Sequence, residues 1–372
     1  MEKRMITALA ENLGRHVELS KSRLETLGML MLGMISARTV NLANVAPERG
    51  AMGVAIASTY RRFQRFFQHV RLAADWAAPM IAALAGGAEK RTLVLDRTNW
   101  KIGGKDVNIL VLAVATRHSQ APLMWIVLDR PGNSGAPERI ALIRRYIATF
   151  GKGSIGMLLG DREFIGDTWF NYLIKEDIPF TIRLRGGMYA TLPDGDRWRL
   201  STLLTRPRRG RKTTATLTGV QASLDLAAKT PKGGEAVIVA TNRPGHDALA
   251  TWRKRWAIDL RRENDPPDRF LILLIFGNTK TRGLNFEDTR LTDPAKLHLL
   301  TAIIALAIAW AARAARTKLG FKAPPRKPHG YLAKSYFRTG FDFIRNRLRS
   351  DPQNARTEWI NLKTARKTQG VV

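Results

Sequence analysis

Cysteine is absent from the 372-residue chain. That excludes disulfides, zinc-finger sites and thiol nucleophiles. Acidic residues are scarce as well. Thirty-one Asp and Glu face 61 Lys and Arg, a formal charge of +30 and a pI near 11.2. Such an excess implies a polyanionic partner: DNA, RNA or an anionic membrane surface. The basic residues run the whole length of the chain, so binding uses most of the surface. No Walker A motif, dinucleotide fingerprint or internal repeat is present. Long apolar runs are missing too, except "LHLLTAIIALAIAWAARAAR" at 297–316. It is rich in Ala and ends in Arg, so it reads as a buried helix rather than a membrane span. The N-terminal stretch is too polar for a signal peptide, and the expected setting is a reducing cytoplasm. With 45% hydrophobic and 25% charged residues, the chain has the composition of a folded soluble protein.

Residues 1 to about 85 read as helical. A second helix is expected after Ser58, running through "STYRRFQRFFQHVRLAADWAAPMIAALAG". Phe63, Phe66, Phe67 and Val70 then share a core face, and Arg61, Arg62, Arg65 and Arg71 point to solvent. Those arginines are candidate phosphate contacts.

From residue 91 the period changes. "RTLVLD", "VNILVLAVATR" and "APLMWIVLD" read as three strands, followed by a helix over 136–151. "SIGMLLGD" is a fourth strand, 166–178 a second helix and 178–187 a fifth strand. The order β-β-β-α-β-α-β is that of the ribonuclease-H-like fold. Polar, β-like segments over 188–248 interrupt it around a basic loop, "TRPRRGRK", in which Arg208, Arg209 and Arg211 are candidate DNA contacts. The expected division is a helical DNA-binding region at 1–88, a first core part at 89–187, a β-rich insertion at 188–248, a second core part at 249–320 and a basic helical region at 321–372.

Two aspartates stand at the ends of apolar strands: Asp96 after "LVL" and Asp161 after "GMLLG". A carboxylate there is costly unless paired or bound to a metal. In the strand order above, the first and fourth strands are neighbours, which brings the two carboxylates together. Two metal ions held by three carboxylates suit phosphodiester chemistry. One activates the attacking hydroxyl and the other stabilises the leaving oxygen. The all-oxygen donor set selects Mg²⁺, with Mn²⁺ as a substitute. The six histidines are scattered; His118 and His298 read as surface or packing residues.

"LVLDRTNWKIGGKDVNILVLAV", "GDREFIG" and "KTRGLNFEDTRLTDPAKL" together resemble transposases of bacterial insertion sequences. The branch is the insertion-sequence-four family of DDE transposases, with its Tyr-Arg-Glu-Lys signature. The resemblance implies Mg²⁺-dependent cut-and-paste transposition by a dimer that binds terminal inverted repeats and a target DNA, in a bacterial cytoplasm. It makes Asp96 and Asp161 the first two catalytic carboxylates. It also implies DNA contacts at Trp252, Arg255, Lys280 and Arg282.

The signature itself is interrupted. The family carries Tyr, Arg three residues on, Glu four further and Lys seven beyond. Here Trp252, Arg255 and Asp259 fill the first three places on one helix face. Pro266 stands in the fourth. An aromatic followed by Lys-Thr-Arg-Gly occurs only at "FGNTKTRGLN", with Lys280. Lys280 lies 21 residues after Asp259, against the family's seven, so about 14 extra residues sit inside the signature. Two readings follow. Either the insert is a tolerated loop with Asp259 or Glu263 as the third ligand, or this is a defective transposase that keeps DNA binding. Another ribonuclease-H-like nuclease would share the metal site, but the β insertion and terminal motifs argue against it.

Overall fold

A computed structural model describes residues 2–49, 54–102, 105–116, 119–128, 130–204, 211–230, 235–253, 283–320 and 333–350, with parts of 322–328. Among these residues the chain is a mixed α/β protein with one open ten-stranded sheet and eleven α-helices. Helices α1 (Glu2–Leu13), α2 (Lys21–Ala37), α3 (Leu42–Val45), α4 (Ile56–His69) and α5 (Ala78–Ala85) come first. Strands β1 (Arg91–Ile102), β2 (Lys105–Ala115) and β3 (Gln120–Leu128) follow. Then come α6 (Ala136–Phe150), β4 (Ile155–Gly160), α7 (Asp167–Lys175) and β5 (Phe180–Arg183). The next segment holds β6 (Tyr189–Thr191), β7 (Arg197–Arg199), α8 (Leu200–Leu203), β8 (Arg211–Leu217), β9 (Leu224–Lys229) and β10 (Val237–Thr241). Helices α9 (Ala248–Arg253), α10 (Pro294–Leu319) and α11 (Tyr336–Ser350) complete the described elements.

The sheet order is β3-β2-β1-β4-β5-β10-β9-β8-β6-β7. β1, β4 and β5 are parallel neighbours, and the remaining pairs are antiparallel. The expected adjacency of the first and fourth strands is therefore present. The segment expected as a β-rich insertion over 188–248 does form strands, and they continue the main sheet. β10 pairs with β5 and carries the sheet onward. Without it, the outer edge of β5 would present unpaired backbone groups, which the inserted strands satisfy.

Both faces are covered. Arg91 of β1 bonds to Tyr146 of α6, and Phe180 of β5 packs on Phe170 of α7. By strand alternation, Leu93, Leu95 and Leu158 share that face. The opposite face carries Val94, Met157 and Leu159 as one buried cluster. Trp252 of α9 packs with Val237 and Val239 on the same side. Trp125 of β3, in register with Val111 and through it with Asp96, packs at 5.1 Å against His298 of α10.

The helical reading of the N-terminal region holds, with two corrections. α4 begins at Ile56 with Ala55 at its N-cap, so Ser58 lies inside the first turn and does not cap it. The helix expected over 59–86 is two helices. The first closes at Val70, and the second begins at Ala78 with Pro79 in its first turn. A proline there is tolerated, whereas one inside a continuous helix removes a hydrogen bond and clashes with the preceding turn. Phe63, Phe66, Phe67 and Val70 are all buried, as their spacing required.

α10 is the apolar run read from sequence. Asp293 caps it by accepting the Lys296 N–H at 2.9 Å. It is the one described helix long and apolar enough to span a membrane, and 83% of its apolar window is buried inside the protein. His298 is a packing residue, its ring nitrogen 2.8 Å from the Ala74 carbonyl. Burial pushes its pKa down from the ordinary imidazole value. A depressed histidine pKa means the unfolded chain takes up the extra proton. The associated stability is whole above about pH 6.5 and falls as pH drops below that value. Urea midpoints at pH 8 and pH 5.5 are expected to differ more for wild type than for His298→Gln. Equal pH shifts in the two would refute this assignment.

Candidate active site

β1 does not stop at Asp96, as its apolar run suggested. It continues to Ile102 in a ribbon with β2, in register from Thr92↔Ala115 to Ile102↔Lys105. What stops near Asp96 is pairing with β4, whose last register pair is Val94↔Leu159. Asp96 lies two residues beyond Val94, and Asp161 two beyond Leu159. Both therefore fall at matching positions where the two parallel strands part. Alternation puts both on the face of Val94 and Leu159.

β5 adds a cation to this row. Gly160 pairs with Ile182, so Arg183 stands one step on, beside Asp161. The Arg183 guanidinium is buried, 3.4 Å from Glu235 and 5.9 Å from the Trp252 ring centre. Glu235 also pairs with Arg162 at 3.2 Å. The row across three strands thus reads carboxylate, carboxylate, guanidinium.

Each aspartate is braced locally. One Asp96 carboxylate oxygen accepts the Arg97 N–H at 2.9 Å, and one of Asp161 accepts the Arg162 N–H at 2.7 Å. Asp96 is 8% exposed and Asp161 is half-buried. Burying a charged carboxylate beside another is costly, and a hard cation or an adjoining guanidinium offsets the cost. The donors are carboxylate oxygens on adjoining strands, a set that fits Mg²⁺. Among the described residues no group of three His, Cys, Asp or Glu side chains is gathered for a metal. Asp259 and Glu263, the candidates for a third ligand, lie outside the described residues, as do Arg208, Arg209, Arg255, Lys280, Arg282 and His118.

Trp252, expected at the DNA surface, is in the core. It is 3% exposed, and its indole N–H donates to the Gly160 carbonyl at 3.3 Å. A side chain sealed between β4, β5 and α9 reaches no external phosphate. Its place instead anchors α9 on the residue before Asp161.

The arginines of α4 also divide. Arg61 and Arg65 are exposed. Arg62 is turned to α2, bonding the Thr26 hydroxyl and the Ser22 carbonyl, each at 2.8 Å. Its guanidinium joins two helices, which helical periodicity alone does not reveal. Arg211 is exposed at the start of β8.

Sequence reasoning missed Arg97, Glu163 and Arg183. Glu163 lies inside the "GDREFIG" motif, a signal that carried no role without the fold. Arg97 likewise lies inside the "LVLDRTNWK" motif with no role assigned, and Arg183 carried no signal.

No protein-family model matches the chain, and no curated protein is similar to it at a significant level.

Proposed function

We propose that this protein is a DDE-type transposase with a ribonuclease-H-like catalytic core. The observation that carries the reading is the matched position of Asp96 and Asp161 where parallel strands β1 and β4 part. The strand order β3-β2-β1-β4-β5 with helices α6 and α7 in the parallel crossovers supports the same reading. So do the three sequence motifs and the +30 charge.

Asp96 and Asp161 would hold Mg²⁺, with Asp259 or Glu263 as the expected third ligand. When bound, Mg²⁺ activates the attacking hydroxyl and stabilises the leaving oxygen of a phosphodiester. The chain's own groups supply the rest. The buried guanidinium of Arg183 offsets part of the negative charge beside Asp161. Trp252 fixes the chain entering the signature segment. Arg61, Arg65 and Arg211 are exposed cations suited to the DNA backbone.

The test is cleavage of linear DNA ending in the inverted repeats that flank the gene. Wild-type protein is expected to nick those ends with Mg²⁺ or Mn²⁺ and not in EDTA. The insertion of about 14 residues in the signature favours a second reading, a transposase remnant that binds DNA without cutting it. Retarded mobility of end DNA without nicking selects that second reading. Protein that binds no DNA at moderate salt refutes both.

A further inference from the structure

The geometry points to Arg97 and Glu163 as a positioning pair that sets the spacing of the two site aspartates, an inference that rests on the metal-site reading above. Two carboxylates that share a cation must keep a fixed separation. The β1–β4 register ends at Val94↔Leu159, so another link must hold the chain beyond it. Arg97 provides that link. Its Nε and Nη2 donate to the two carboxylate oxygens of Glu163 at 3.0 and 3.3 Å. This is a bidentate, directional pairing, which fixes orientation as well as distance.

The pair is itself anchored on both sides. Arg97 Nη1 donates to Asn108 on β2, and Nη2 donates to Asn133, each at 3.0 Å. Asn108 in turn donates to the Arg130 and Gly132 carbonyls. The Glu163 carbonyl accepts from Arg139 of α6 at 3.0 Å, and the Ile165 carbonyl accepts from the same guanidinium at 3.1 Å. Arg139 is buried and further tied to Ser134. One link of the chain therefore joins each aspartate to a common node. Asp96 immediately precedes Arg97, and Asp161 lies two residues before Glu163. Strand alternation turns Arg97 to the face opposite Asp96. The pair thus acts from behind the site and touches neither metal nor DNA. Outer partners of this kind tune metal affinity through the ligands they orient.

The experiment titrates Mn²⁺ into the full-length protein and reads free Mn²⁺ by electron paramagnetic resonance. Glu163→Gln removes the charge of the pair while keeping an acceptor. Arg97→Lys keeps the charge but loses the fork, and guards against a variant that fails to fold. Both are expected to weaken Mn²⁺ binding roughly ten- to hundredfold. Their affinity for duplex DNA in EDTA should match wild type, which a loss of folded protein would not allow. Mn²⁺ uptake that is abolished by Asp96→Ala yet unchanged in both folded pair variants overturns this inference alone. Wild-type protein that takes up no Mn²⁺, or takes it up equally after Asp96→Ala, overturns the metal-site reading and this inference with it.

Discussion

Asp161→Ala is expected to lower Mg²⁺-dependent nicking of element-end DNA by about a thousandfold or more, with end binding in EDTA retained. The size follows from what the residue supplies. Stabilising charge at a transferring phosphoryl group contributes several kcal/mol, and each 1.4 kcal/mol is a factor of ten in rate. Asp96 and Asp161 occupy matching positions where β1 and β4 part, so losing either carboxylate leaves one of the two proposed ligands that are described. Asp96→Ala should therefore be equally inactive, and the double variant no worse, because residues acting as a unit are not additive. The local fold should survive. Asp161 is half-buried and follows β4 rather than forming part of its core, and Gly160, Ile182 and Trp252 keep their packing without it. Nicking by Asp161→Ala at the wild-type rate would refute the assignment of this residue to the chemistry.

Gly340→Ala is expected to be the most damaging conservative substitution in the helical half of the protein, costing about 3 kcal/mol or more. α11 crosses α10 at this glycine. A Cβ at Gly340 would overlap the Ala311 carbonyl oxygen and lie 2.7 Å from the Ala315 backbone nitrogen. Both obstacles are backbone atoms of a buried helix, so neither can rotate aside. The two helices would have to separate, and with them the packing of Phe337, Phe341 and Ile344. The gain in helix propensity from Gly to Ala, about 1 kcal/mol, is too small to compensate. Gly153→Ala is the control, because no atom lies within 4 Å of its added Cβ. Urea unfolding midpoints decide the matter. A Gly340→Ala midpoint no lower than that of Gly153→Ala would mean that the α10–α11 crossing is not as described.

Much of the architecture was legible because short-range physics governs it. The apolar runs at 107–117 and 121–129 became β2 and β3, and 136–151 became α6 with Gly151 closing it at positive φ. The run at 297–316 became a buried helix because an apolar surface of that length must be covered. Side-chain roles were less legible. Arg62 and Arg65 lie on the same short helix with the same side chain, yet one joins α2 and the other faces solvent. The spacing suggested a surface role for Trp252, and packing makes it a core residue.

The sequence by itself determined the strong basic excess, the absence of thiol chemistry and the choice of Asp96 and Asp161 as site candidates. Charge balance, composition and the position of a carboxylate after an apolar run are properties of the chain alone. Tertiary structure decided that the insertion extends the sheet, that Arg183 joins the carboxylate row and that Arg97 reaches Glu163. Each of these depends on strand register between segments distant in sequence. Hydrogen bonding between whole strands sets that register, and no local pattern encodes it.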